Sequence, residues 1–336
     1  MSAAEAMGEL DPRILLAFDL RPRRIEPMRG AFRVEDSRGT WVLKRFPHCA
    51  EDLQFIYKVQ QHLLASGYRR FSPICLTPQG ALSLEFEQYH WILTAWMEGR
   101  ECDYDRWKDL GATAGAVAEL HRLSRGFFAP EYGNRSLWGR WPDIFNNKIK
   151  QLEECRLASR RKAEQGDFDR LFLNHLEGVL EEAKEASRIL EFSPYHSLMK
   201  QEALAGGFCH HDLAHHNVII NEMGDPYFID FDHSIQDTRL HDLASLIIRV
   251  LKRDHWSIEK AYKILEAYSI AYPLSDDHVK VMYCLLAFPN DFWQYAFSYY
   301  FENLRQPAEY HTKRLKRFCS QQKYRRRFLR EFGDSL

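Results

Sequence analysis

What this chain lacks first of all is charge of one sign. Its 46 Lys and Arg stand against 47 Asp and Glu, leaving −1 at pH 7. So balanced a surface carries no general attraction for a polyanion, and neither nucleic acid nor a membrane is expected as a partner. Cysteine is sparse and unpatterned, seven residues with no C-x-x-C pair. An odd, scattered set argues against a disulfide framework or a zinc ribbon and for a reducing compartment. Long hydrophobic runs are missing as well. Nothing approaches the ~18 apolar residues that would read as a membrane span, and "LIIRVL" is both too short and broken by Arg249. The opening "MSAAEAMGEL" has no charged n-region and no apolar h-region, so no signal peptide is expected and a cytoplasmic protein is. The phosphate loops G-x-x-x-x-G-K-[ST] and G-x-G-x-x-G are absent, and so is the G-x-S-x-G elbow of a hydrolase. There is no internal repeat and no low-complexity linker.

What the chain does have is bulk. At 336 residues, 45% hydrophobic and 14% aromatic, it can bury a substantial core, in two domains or one large bilobal one. Its most informative stretch is "GGFCHHDLAHHNVIINEMGDPYFIDFDHS", Gly206 to Ser234. "NVII" and "YFIDF" flank the turn formers of "NEMGD", which reads as a β-hairpin. Asn217 opens the first strand, Asp230 lies inside the second, and Asp212 sits in the loop before them. Folding such a hairpin gathers the three at one edge. Phosphoryl transfer needs a carboxylate to orient a hydroxyl and hard oxygen ligands for Mg²⁺. Asp212 fits the base; Asn217 and Asp230 fit the metal ligands.

This stretch resembles the catalytic and metal segments of the aminoglycoside phosphotransferase-like kinases, whose pattern is His-Gly-Asp, four residues, Asn, then a hairpin ending in Ile-Asp-Phe. Here it reads His210-His211-Asp212, Asn217 and Ile229-Asp230-Phe231-Asp232. "HHDLAHHN" with "IDFDHS" is similar, more closely, to the CotS-type spore coat proteins within that superfamily. His211 stands where the family usually has Gly.

The resemblance implies more along the chain. "AFRVED" and "TWVLKRF" match the nucleotide-covering strands of a kinase small lobe, with Gly30 as all that is left of the family's Gly turn. Lys44 falls at the ATP-binding lysine and would contact the α- and β-phosphates. "EDLQFIYKVQQHLLASGY" is a helix by spacing, and its acid would hold Lys44. Glu51 is the first choice and Asp52 the alternative; either also suits a first helical turn. "WILTAWMEG" resembles the hinge, where the main chain of Ala95 and Met97 would bond the adenine edge. Residues 138–204 resemble the helical insert of CotS-type proteins; Trp138, Trp141 and Phe145 read more readily as core than as pocket. Asp242 reads as an N-cap before Leu243, Leu246, Ile247, Val250 and Leu251. The segment from His311 to Arg330 holds nine Lys/Arg and no acid, and reads as a solvated helix face over Leu315, Phe318, Phe328 and Leu329.

The expectation is therefore an α+β, bilobal protein-kinase-like fold. A nucleotide-binding lobe would cover residues 1–97 and a catalytic lobe 98–336. ATP and Mg²⁺ are the implied cofactors and an unknown hydroxyl compound, small molecule or protein, the acceptor. The resemblance also implies sporulation: synthesis in the mother-cell cytoplasm, a place on the spore coat, and other coat proteins as partners. Two other readings stand beside it, a coat scaffold that has lost turnover and a kinase of an antibiotic, sugar or amino alcohol. The four histidines of the loop with Asp212 invite a zinc site, but that would leave Asn217, Asp230 and Lys44 without a role.

Overall fold

The computed structural model of the protein describes residues 10–302 and 306–335. The described residues form two compact units, those up to 136 with 206–236, and 137–205 with those from 237 onward. This division is not the one after Met97 expected from the sequence. The loop and hairpin carrying Asp212, Asn217 and Asp230 belong to the same compact unit as the small sheet.

In the first unit a short helix, α1 (Pro12–Ala17), begins at Asp11, whose carboxylate accepts the Arg13 N–H at 2.8 Å. Leu15 on it and Leu20 just after it are buried, but Leu16 is 73% exposed, because so short a helix turns one face inward. The sequence suits a helix over residues 1–20, of which residues 1–9 lie outside the described residues. Strands β1 (Arg24–Met28), β2 (Ala31–Glu35) and β3 (Thr40–Phe46) then run antiparallel, with Gly30 at φ +75° in the two-residue turn between β1 and β2. Helix α2 (Ala50–Ala65) precedes β4 (Ile74–Cys75), β5 (Leu84–Phe86) and β6 (Tyr89–Ala95). The sheet order is β1-β2-β3-β6-β4, with β5 paired to β6.

The strand period of two decides what β3 does. Trp41 and Leu43 face the cluster of Ile14, Leu15, Val34, Trp91 and Leu93. Lys44, between Leu43 and Arg45, must therefore point to the opposite face. Helix α2 buries Leu53, Ile56 and Leu63 as its spacing requires. It is tied to β4 by the buried Gln60, which accepts the Ile74 N–H at 2.8 Å and donates to the Ser72 carbonyl at 3.2 Å.

After β6 the chain passes Gly99 into β7 (Arg100–Glu101) and α3 (Trp107–Ser124). Strand β7 joins the expected hairpin, β8 (Val218–Ile220) and β9 (Pro226–Phe228), in a three-stranded antiparallel sheet. The hairpin turn is closed by Asn221, whose carbonyl accepts the Gly224 N–H at 3.0 Å and whose side chain accepts the Asp225 N–H at 2.8 Å. Gly99 is forced by this junction: at φ +146°, a Cβ there would stand 2.4 Å from the Ile220 carbonyl oxygen.

The second unit is helical. Helices α4 (Trp141–Arg160), α5 (Asp167–Phe192) and α6 (Tyr195–Ala205) fill the expected 138–204 segment, with Gly166 at the N-cap of α5. Trp141 and Phe145 are buried, so they are core. On α5, Phe168, Phe172, Leu176, Val179 and Leu180 form a stripe that meets Leu152, Phe292, Ala296 and Leu315. Helix α7 (Arg239–Leu251) is capped by Thr238, which accepts the Leu240 N–H. Asp242, expected at that cap, instead lies fully buried in the first turn, because the helix starts four residues earlier. Helices α8 (Ile258–Ala271), α9 (Asp276–Ala287), α10 (Asn290–Tyr300) and α11 (Ala308–Gly333) complete the unit. Leu315 and Phe328 are buried on α11 as expected, and Arg325 turns inward to Glu182 at 2.6 Å. Among the described residues no helix is long and apolar enough to cross a membrane.

Candidate active site

The loop before β8 is held by its own histidine. His210 is fully buried; its Nδ1 accepts the Asp212 N–H at 3.4 Å, which leaves Nε2 to donate to the Ile229 carbonyl at 2.9 Å. Tyr104 adds a second tie, its hydroxyl donating to the Leu213 carbonyl at 3.0 Å. His211 takes φ +68°, a left-handed conformation that explains why the family usually places Gly at this point.

Asn217 ends a 3-10 turn, His215–Asn217, just before β8. Its amide nitrogen donates to Oδ2 of Asp212 at 2.8 Å and to the Asp212 carbonyl at 3.0 Å. Both amide hydrogens are thereby turned to Asp212, and Oδ1 is the atom that faces away. The Asn217 carbonyl accepts the Ile229 N–H at 3.0 Å, which puts Asp230 beside it across the hairpin. Asp230 is not inside the strand as expected: β9 ends at Phe228, and Asp230 itself has φ +63°. A residue held in that region lies outside the strand conformation and at a local energetic cost, as is common where a side chain must be aimed.

Lys44 reaches this edge from β3. Its Nζ is 2.5 Å from Oδ1 of Asp230 and 2.8 Å from Oδ2 of Asp232. Burial alone would push the Lys44 pKa down, but the charges of Asp232 and Asp230 reverse that and raise it. Burial raises Asp230 too, and the ammonium outweighs it, so that carboxyl lies below the ordinary range. Asp232 is pushed up to about 6, by burial first and by the charge of Asp230, with Lys44 opposing. A cation thus already occupies the space between two carboxylates. Asp230 keeps 39% of its side chain exposed, leaving an open side for water or phosphate oxygens. Oxygen donors from Asn217, Asp230 and Asp232 make a hard set of the kind Mg²⁺ takes.

One expected contact differs. Glu51 does not hold Lys44: it is exposed in the first turn of α2, and the lysine is engaged by Asp230 and Asp232. The engaged acid of α2 is Asp52, which accepts Arg135 Nε at 2.6 Å. At the hinge, the Ala95 N–H is spent on the Pro73 carbonyl at 3.0 Å and its own carbonyl accepts the Ser72 hydroxyl at 2.6 Å. The Ala95 N–H is therefore taken, while its carbonyl keeps a second lone pair. Met97 has no main-chain hydrogen-bond partner among the described residues. Arg135 escaped the sequence reading altogether. It ends a three-residue turn, Gly133–Arg135, with no motif around it, and only the fold brings it to the site.

The family model described as "Spore coat putative kinase YutH" matches residues 13–332. Spore coat protein S of Bacillus subtilis (strain 168) is 28% identical over 275 residues, 81% of this chain and 77% of that one. Endospore coat-associated protein YutH of the same organism is 23% identical over 251 residues, 74% of this chain and 70% of that one. Among solved structures, an aminoglycoside phosphotransferase from Alicyclobacillus acidocaldarius superposes with a TM-score of 0.83 at 20% identity, over 97% of this chain and 96% of that one. The amicoumacin kinase hAmiN, solved with AMP-PNP, Ca²⁺ and Ami, gives 0.65 at 15% identity over 96% of each chain. The fold is kinase-like, α+β, with an antiparallel N-terminal sheet and a helical C-terminal part.

Proposed function

The chain belongs to the spore coat YutH family, and from that premise we propose that it is a coat-associated phosphotransferase that moves the γ-phosphate of ATP to a hydroxyl acceptor. One observation carries the reading: Lys44, Asp230 and Asp232 form one ionic cluster beside the Asp212–Asn217 pair. In the reaction the acceptor oxygen bonds to the γ-phosphorus, the bond to the bridging oxygen of ADP breaks, and the hydroxyl proton passes to the carboxylate of Asp212. Asn217 keeps that carboxylate aimed. Asn217 Oδ1 with Asp230, and Asp232 beside it, would hold Mg²⁺, which when bound neutralises charge on the triphosphate. Lys44 then moves from the carboxylates to the α- and β-phosphates, and the free main chain of Met97 meets the adenine edge. The two spore coat relatives support synthesis in the mother cell and a place on the coat, with other coat proteins as partners. The acceptor is a small molecule or a coat protein; the antibiotic kinases of the same fold make the former the first panel to try.

The test is nucleotide binding by thermal shift with ATP and Mg²⁺, followed by ADP release over a panel of hydroxyl compounds. Wild type should bind, and Asp212→Asn should bind and turn over at least about 10²-fold more slowly. No binding by the wild type overturns the reading. Binding without turnover on any acceptor favours the second one, an inactive scaffold. Its structural support is the strained His211 and a phosphate-side turn with Gly30 as its single glycine.

A further inference from the structure

The acid of α2 and the cation of β3 are not partners. Lys44 is bound to Asp230 and Asp232, and Asp52 is bound to something else. That something is Arg135, whose side chain is 9% exposed. Its Nε donates to Oδ1 of Asp52 at 2.6 Å, while Nη1 donates to the carbonyls of Asp232 at 2.9 Å and Ser234 at 3.2 Å. Asn134 adds a second donor to the same Asp52 oxygen, at 3.2 Å.

The rest of the segment is pinned with it. The Arg135 carbonyl accepts the Gln236 N–H at 2.8 Å. The Gln236 side chain accepts the Ala129 N–H at 3.1 Å and donates to the Ala129 carbonyl at 3.0 Å. The turn 133–135 and the loop 232–236 are therefore stitched at both ends, with the guanidinium between them. A planar fork with five donors can serve a carboxylate and two carbonyls at once; an ammonium cannot do so in this geometry.

We propose that Arg135 is a positioning residue for the metal-binding acids. It transmits the placement of α2, through Asp52, to the backbone of Asp232–Ser234, and so sets how tightly the metal-bound nucleotide is held. The coupling usually looked for between an α2 acid and the lysine is here carried by this third side chain, and Lys44 is left free to exchange carboxylates for phosphate. This inference rests on the phosphotransferase reading above.

Its test separates the two. The dissociation constant of ATP is measured on the full chain by calorimetry, once with excess Mg²⁺ and once with chelator, for wild type, Arg135→Met, Arg135→Lys and Asp52→Asn. Groups that orient metal ligands typically change metal affinity 10- to 100-fold when lost. Arg135→Met should raise the constant measured with Mg²⁺ at least about tenfold and leave the metal-free one within about twofold. Arg135→Lys and Asp52→Asn should fall between wild type and Arg135→Met, and they carry the test if Arg135→Met does not fold. Equal weakening with and without Mg²⁺, or no change in folded variants, overturns the positioning role alone. A wild type that binds ATP in neither condition brings down the phosphotransferase reading and this inference together.

Discussion

The side-chain amide of Asn217 donates to Oδ2 of Asp212 at 2.8 Å, and this bond assigns the two ends of the amide. Nitrogen faces the acid and oxygen faces away from it, free for the proposed cation. A carboxylate would be isosteric but would set an anion against Asp212. Asn217→Asp should therefore lose turnover by about 10²-fold or more despite carrying a better metal donor. It should also lose stability, by about 1–3 kcal/mol, the cost of a buried hydrogen-bonding group deprived of its partner. Denaturant midpoints and ADP release, read on the same preparation, check both; a variant as active as wild type would show the amide's orientation to be irrelevant.

Lys44 is the counter-ion of Asp230 and Asp232. Lys44→Met leaves two neighbouring carboxylates without it. A fully buried pair broken in this way typically loses 3–5 kcal/mol. Because 39% of Asp230 is exposed, solvent reduces that, and a loss of about 1–2 kcal/mol is expected. The diagnostic is the remedy. Millimolar Mg²⁺ without nucleotide should raise the melting temperature of Lys44→Met more than that of wild type, since in wild type the ammonium competes for the same oxygens. Equal shifts would place the metal elsewhere.

The sequence made some parts of this arrangement readable and hid others for physical reasons. Asp212, Asn217 and Asp230 could be read because the turn formers of "NEMGD" set the hairpin, and a hairpin dictates which residues become neighbours. The face of Lys44 follows from strand alternation. The partner of Lys44 did not follow. Glu51 and Asp52 are adjacent on α2, and nothing local tells which one turns inward. The answer lay in Arg135, 83 residues further on, for which the chain offers no signal. The use made of the Ala95 N–H is equally hidden, since it goes to the carbonyl of Pro73, just before the two-residue strand β4 that pairs with β6. The left-handed backbone at Asp230 is likewise invisible in "YFIDF", which reads as an unbroken strand.

Gly99 offers a test of how the hairpin is mounted. Alanine there would bring its Cβ to 2.4 Å from the Ile220 oxygen and 2.8 Å from Ile219 Cγ2, at a φ of +146°. The clash is with backbone, so it cannot be relieved by a rotamer change. Overpacking and left-handed strain each cost about 1–3 kcal/mol, so Gly99→Ala should destabilise by at least about 2 kcal/mol. Limited proteolysis should find the β7–β8 region opened, and nucleotide binding should fall with it. An undisturbed Gly99→Ala would mean that β7 can leave β8 without consequence for the site.

The Asp52–Arg135 pair also predicts a pH signature. Burial pushes the Asp52 carboxyl up, but the hydrogen bond and charge of Arg135 more than reverse it, and its pKa lies below the ordinary carboxylate value of about 3.9. A depressed folded pKa means that the unfolded chain binds the proton more tightly. The pair's stabilisation is then complete above the unfolded value and is lost as pH falls through the folded one. Asp52→Asn lacks that titration, so its stability deficit against wild type should be constant from neutral pH down to about 5 and should shrink below about 4. Both side chains are mostly buried, 9% and 13% exposed, so added salt should alter the deficit little. Denaturant unfolding of the two proteins at a series of pH values measures this directly. A deficit that persists unchanged into the acid range would mean that Asp52 holds Arg135 by shape and hydrogen bonding, with its charge contributing nothing.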